Sequence, residues 1–215
     1  MKCSHILLKV DDLHEAVGDF RELGFTVDYA SEERKARHAH IWFRSGPILE
    51  LVTTPPGASL MTLPLNLMFG RGAGRRMTRW ARAAEGFCDA AVLAGRHELR
   101  RVGRVVDWKR TKRDGSTAKF AFTYPRHDRI PFLVTPYDPP QHPPDVVHVN
   151  GARGVSRVVV DVAPADRAEF DRIAGDDGDF ELRDAEVTAI RAVGLAGVAR
   201  ALDPDLSHGA VFLPH

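Results

Sequence analysis

A histidine opens the apolar run "SHILLKV", and a glutamate interrupts another in "GPILELVTTP". If both runs are β-strands, alternation decides which way these two side chains face. In the first run Ile6, Leu8 and Val10 share one face, and His5, Leu7 and Lys9 share the other. In the second, Leu49 and Leu51 share a face while Ile48, Glu50 and Val52 take the opposite one. A carboxylate is not pressed beneath a helix without a partner, so His5 and Glu50 are expected on the open side of one sheet. An imidazole and a carboxylate meeting there suit a divalent cation. Glu50 is also the candidate catalytic residue, because an apolar surround raises a carboxyl pKa towards the range useful for proton transfer.

Between these strands, "RHAHIWFR" sets Ala39, Ile41 and Phe43 on its apolar face, leaving His38, His40, Trp42 and Arg44 on the other. A three-residue turn places His40 opposite Glu50 and a two-residue turn places Ile41 there; the amphipathic pattern favours the first. Trp42, Arg44 and His40 are therefore the candidate substrate-binding residues. His148, just before a later strand, is expected to lean over the rim as a further metal ligand beside His5 and Glu50.

The elements that must hold these groups follow from the surrounding pattern. "HILLKV" reads as a strand and "DDLHEAVGDFREL" as a helix, with Leu13, Ala16, Val17, Phe20 and Leu23 in one stripe of 3.6-residue period. Asp12 and Glu15 have capping-box-like spacing and Gly24 is the helix stop. "FTVDYA", "HAHIWFRS" and "PILELV" follow as strands, the last two joined at Ser45-Gly46, so residues 1–54 read as a βαβββ module. Residues 55–84 form a Pro/Gly-rich connection leading into a basic helix. A second βαβββ-like module is expected over 85–138, with an Asp114-Gly115 hairpin turn. A proline-rich linker covers 139–153, and 154–215 echo the pattern more loosely. The expected class is α+β: repeated βαβββ modules curl a mixed sheet into a cup, with helices on its outer face and the ligand inside.

Composition bounds the setting. Across 215 residues, charged side chains make up 27% and the net charge is only +1, so nothing general favours nucleic acid or a membrane surface as partner. Two distant cysteines, without a CxxC pattern, give neither a disulfide scaffold nor a cysteine zinc site and fit a reducing cytoplasm. Neither a signal peptide nor a membrane-spanning run is read from the chain.

"HILLKVDDLHEAVGDFRELGFTV" followed by "ILELVTTP" resembles the first module of the vicinal oxygen chelate superfamily, which includes glyoxalases, bleomycin-resistance proteins and extradiol dioxygenases. "DWKRTKRDGSTAKFAF", "PFLV" and "HVNGARGVSRVVVDV" are similar to its glyoxalase-like branch. The resemblance implies His5 and Glu50 as metal ligands. It also implies further ligands from a second module, but there "GFCDAAVLA" has Cys88 and Asp89 instead of a histidine and "PFLVTPYD" has Thr135 where a carboxylate is expected, so the ligand role carries over to His5 and Glu50 alone. Two functions remain open. One is a lyase, isomerase or dioxygenase using zinc, nickel, manganese or iron on a small oxygen-rich or carbonyl substrate. The other is a metal-free cup that sequesters an aromatic or antibiotic-like molecule. The odd module count suggests a homodimer.

Other motifs have ordinary explanations. "FGRGAGRRMTRW" resembles a phosphate loop only superficially and reads as a solvated basic face. The cations of "WKRTKRDGS" read as edge protection, with anionic substrate recognition as the residual reading. Trp42, Trp80, Phe120, Phe122 and Phe132 read as core, with Trp42 the best candidate to line a pocket.

Overall fold

The computed structural model describes residues 1–111, 115–175 and 178–215. The chain begins with β1 (Cys3–Lys9), α1 (Leu13–Glu22), β2 (Asp28–Tyr29), β3 (His38–Ile41) and β4 (Ile48–Val52). Asp12 caps α1, its carboxylate accepting from the backbone N–H groups of His14 and Glu15 at 2.7 and 3.1 Å. Gly24 ends that segment with φ +87°, and the buried stripe is Leu13, Ala16, Val17 and Phe20. Two helices follow, α2 (Thr62–Phe69) and α3 (Ala73–Arg82), and then β5 (Gly86–Leu93), α4 (Arg96–Val102), β6 (Val106–Thr111), β7 (Thr117–Thr123) and β8 (Phe132–Val134). The Asp114-Gly115 turn, with Lys112 and Arg113 of the cationic run, lies at least partly outside the described residues.

These strands form one curled eight-stranded sheet in the order β2-β3-β4-β1-β5-β8-β7-β6. β1 and β5 are antiparallel at its centre, and each runs parallel to the closing strand of its own unit, β4 or β8. The fold is α+β with repeated βαβββ units, as the sequence pattern predicts. Alternation sorts the side chains as expected: Ile6, Leu8, Ala39, Ile41, Phe43, Leu49 and Leu51 join the α1 stripe and Leu99 of α4 in the main core, on the sheet's convex face.

The last segment contains β9 (Gly154–Val162), α5 (Pro164–Ala174), β10 (Phe180–Asp184), β11 (Ala189–Ala196) and β12 (Phe212–Pro214). Its element order echoes the first two units, but its sheet does not. The strand order is β10-β9-β11-β12, with β9 paired directly to β10 instead of to the closing strand. Val158, Val160, Val193 and Phe212 enter the same main core, and the Phe212 ring meets Phe20 and Phe87 at centroid separations of 6.1 and 5.4 Å. This apolar face is covered within the chain, which removes the odd-module argument for a homodimer.

Residues 55–84 differ most from expectation. Instead of only bridging two units, α2 and α3 pack on the sheet's other face. Ala73, Phe69 and Met77 meet Ala91, Phe122 and Val134 there, and Trp80 meets Leu7, Val52 and Cys88. Helices therefore cover both faces, and the concave side is walled in. No described helix is long and apolar enough to cross a membrane.

Candidate functional site

Parallel pairing of β1 and β4 sets His5 opposite Ile48 and Leu7 opposite Glu50. His5 and Glu50 line one cavity of about 360 Å³ on the concave face. Across the antiparallel β3/β4 pair, His40 stands opposite Glu50. This is the register that the amphipathic pattern favours, although the connection between the two strands is longer than a tight turn.

Most of the polar groups here have a defined partner. His38 Nδ1 donates to Glu50 Oε1 at 2.6 Å, and His40 Nε2 faces the same oxygen at 3.6 Å. Arg110 Nη2 lies 3.2 Å from His40 Nδ1. Because a guanidinium only donates, Nδ1 is the acceptor and the His40 proton sits on Nε2. Burial, the largest influence, lowers the His40 pKa and keeps it neutral. Burial also pushes His5 down to about 4. His5 Nε2 pairs with the Tyr137 hydroxyl at 3.0 Å, while His5 Nδ1 is buried without a partner. The Tyr137 phenol is raised by burial and stays protonated.

Glu50 departs from the sequence expectation. Burial alone would raise its pKa, but hydrogen bonds from His38 and His40 outweigh that and hold the carboxyl well below the usual range. The group is thus a fixed anion and a weak base. Its neighbourhood favours binding a partner over taking a proton at neutral pH.

The rest of the cavity is apolar. Its wall takes Leu65 and Phe69 from α2, Met77 and Trp80 from α3, and Trp108 from β6. Phe120, Phe122 and Tyr124 project from alternate positions of β7 and its end, and Phe132 and Tyr137 complete the surface. The alternation in "TAKFAFTY" is readable as one aromatic face. Trp108 and Arg110 alternate in the same way. Tyr137 and the α2 residues carry no comparable signal, because a loop and a crossing helix place them.

The basic helix is a solvated face only in part: Arg75 and Arg82 are exposed, while Arg76 and Arg79 turn towards the sheet. Arg76 is fully buried, its Nη1 donates to Asp89 Oδ2 at 2.5 Å, and its Nη2 donates to the Ile130 carbonyl at 2.7 Å. Arg79 Nη2 and Trp80 Nε1 reach the same Asp89 oxygen, each at 2.9 Å. A glycine in the first turn of this helix serves packing: a Cβ on Gly74 would stand 2.1 Å from the Thr62 carbonyl oxygen, and the Gly74 N–H donates to Asn66 Oδ1. α3 is held against α2 at its N-terminus and against β5 further along.

The donor set does not fit a chelate built from both halves of the sheet. Opposite His5 across the β1/β5 pair stands Ala91, and the ladder from β5 into β8 offers Phe132 and Val134. Asp89 is committed to two arginines and a tryptophan, burial raises the Cys88 thiol pKa, and the Thr135 hydroxyl accepts the Ala121 N–H. His148 stands apart from the cavity. Its Nδ1 accepts from Thr26 N–H at 3.0 Å, its Nε2 donates to the Trp42 carbonyl at 2.9 Å, and its ring lies between Phe25 and Phe43. Both nitrogens are used in bracing loops, which leaves none for a metal. Among the described residues, no three His, Cys, Asp or Glu side chains are grouped to hold an ion. Trp42 is buried against His40, Tyr137 and His142, behind the cavity wall, and Arg44 is exposed beyond the end of β3.

One solved structure shares this architecture, and another is a weaker likeness. A hypothetical protein from Staphylococcus aureus superposes with a TM-score of 0.64 at 14% identity, covering 100% of this chain and 99% of that one. A variant of homoprotocatechuate 2,3-dioxygenase from B. fuscum gives a TM-score of 0.45 at 11% identity, over 91% of this chain and 56% of that one. No curated protein matches the sequence. The family described as "Glyoxalase-like domain" matches residues 3–172, which span both halves of the eight-stranded sheet and run into α5. The chain belongs to the glyoxalase-like domain family.

Proposed function

We propose that this protein binds an organic small molecule in the cup without a metal ion, the ligand's apolar body against the aromatic wall and its polar end at Glu50 and His5. The observation that carries this reading is the lining: eight aromatic side chains surround a cavity in which Glu50 is the sole carboxylate. A pocket of this kind, mostly apolar with a few convergent polar groups, is suited to a small organic ligand. The alternative, chelation of a substrate on a divalent ion, needs donors from the second half, and alanine, phenylalanine and valine stand there.

The test uses untagged protein incubated with zinc, nickel, manganese or iron and then dialysed. Retention below about a tenth of an equivalent is expected, since a site short of donors binds weakly. Aromatic molecules should raise the melting temperature of the metal-free protein in proportion to the logarithm of their concentration. Stoichiometric metal, with stabilisation by ligands only in its presence, overturns the reading.

A further inference from the structure

We propose that the ligand of the cup is an organic cation, an ammonium or related group on an apolar or aromatic body, seated between the Glu50 carboxylate and the surrounding ring faces. This rests on the reading of the cup as a binding cavity and adds the sign of the ligand's charge.

The argument begins with the balance of charge. Glu50 is the one lining residue of fixed charge, since the other titratable groups on the wall are the imidazoles of His5 and His38 and the phenols of Tyr124 and Tyr137. Its Oε1 is the atom that His38 and His40 address, and Oε2 accepts no hydrogen bond among the described residues. A neutral apolar ligand filling the cup would strip water from this carboxylate and give nothing back. A cation restores the lost interaction, and exclusion of water strengthens it.

The walls point the same way. Ring faces attract cations through their quadrupole, tryptophan most strongly, and Trp80 and Trp108 both line the cavity. The same aromatic set already holds a cation from behind: the Arg76 guanidinium lies 5.3 Å from the Tyr124 ring centroid and 5.9 Å from that of Phe132. Asp89 balances that charge. The other nearby arginine, Arg110, is turned to the Ala30 carbonyl and His40 and borders a different hollow. Its charge is felt from behind the wall at His5 and Tyr137, but no guanidinium lines the cup itself, where Glu50 remains the one charged side chain. Trp108 is 48% exposed and stands at the margin, where an entering ligand meets it.

A matched pair of probes isolates the charge. Phenyltrimethylammonium and tert-butylbenzene have nearly the same shape and differ by one positive charge; benzoate supplies the opposite sign. Binding is read from quenching of tryptophan fluorescence at about pH 8, above the ordinary histidine range. The cation is expected to bind at least about tenfold more tightly than its neutral isostere, as a desolvated cation–π contact with a carboxylate nearby predicts. Glu50→Gln should abolish that preference while retaining affinity for tert-butylbenzene, which also reports that the variant is folded. Trp108→Leu, altering a half-exposed side chain, should weaken the cation more than the neutral probe. Equal binding of the cation and its isostere, tighter binding of benzoate, or a preference that survives Glu50→Gln overturns the cation inference and leaves the cup as a binding site. Failure of all three probes to bind overturns both.

Discussion

Replacing Asp89 with asparagine should be among the most damaging conservative changes in this protein. The Asp89 side chain is 2% exposed, and Arg76 beside it is 0% exposed. Asp89 Oδ2 accepts from Arg76, Arg79 and Trp80, and Oδ1 accepts the Ala90 N–H at 2.8 Å. An amide has one acceptor oxygen, so its NH2 group must face either the three donors or the Ala90 N–H. The larger effect is electrostatic, because Arg76 keeps its charge in the interior without its counter-charge. Removing one member of a buried pair costs roughly 3–5 kcal/mol, a large part of a typical stability of about 5–15 kcal/mol. Arg79 suffers less, since its side chain is 19% exposed and also pairs with Asp128 at 3.2 Å.

Arg76→Met makes the reasoning sharper. It removes the buried cation but leaves Asp89 with Arg79 and Trp80, so it should cost less than Asp89→Asn, about 2–3 kcal/mol for the lost hydrogen bonds. The double variant should cost well below the sum, because removing the second charge relieves the first defect. Urea unfolding with linear extrapolation measures all three, with constant m-values as the check on two-state behaviour. An Asp89→Asn cost under about 1 kcal/mol, or additivity of the two substitutions, would refute the claim that this ion pair anchors α3.

Other expectations concern pH, packing and a histidine outside the cup. His5 is held near pKa 4 in the folded protein, against 6.5 ordinarily. The unfolded chain therefore takes up a proton first as pH falls, so stability is level above about pH 7 and drops by on the order of 3 kcal/mol between 6.5 and 4. The lowered His40 adds in the same direction, and the depressed Glu50 adds a further loss below 4.5; a denaturation midpoint that rises on acidification contradicts this. Gly74→Ala should destabilise by about 1–3 kcal/mol through overlap with the Thr62 backbone, whereas helix propensity alone predicts stabilisation, so the sign of the thermal shift decides. His148→Phe keeps a ring between Phe25 and Phe43 but orphans the Thr26 N–H and Trp42 carbonyl, costing about 2–4 kcal/mol. Metal content and ligand affinity should not change in that variant.

Much of the fold was legible because its first unit obeys local rules. One strand alternates cleanly and one helix has a cap, an apolar stripe and a glycine stop, so the faces of His5, Glu50 and His40 follow from period 2 alone. The last segment shows the limit of this method. "GVSRVVVDV" and "PADRAEFDRIA" give the right elements, but element order does not state which strand pairs with which. β9 meets β10 through register contacts that composition does not reveal. The helix α2 was hidden for another reason. "LPLNLMF" is apolar on all sides, so no stripe indicates which face it buries, and Leu63 and Leu67 are indeed exposed while Leu65 and Phe69 line the cavity.

The site was half legible for a physical reason that bears on function. The polar side of the cup comes from consecutive alternating positions of β1, β3 and β4, which sequence exposes directly. The opposite side is built by long-range packing, and its key residue is an aspartate that strand position alone would offer as a ligand. Asp89 is instead spent on Arg76, Arg79 and Trp80, the side chains that press α3 into the concave face. A carboxylate cannot both clamp a buried arginine and coordinate an ion without leaving one charge uncompensated. The residue that fixes the cavity wall is therefore lost as a metal donor, and the wall it fixes brings Trp80 and Met77 to face Glu50 across the cup. Enclosing the cavity with α3 and assembling a two-sided chelate make competing demands on this strand, and the sequence of β5 meets the first.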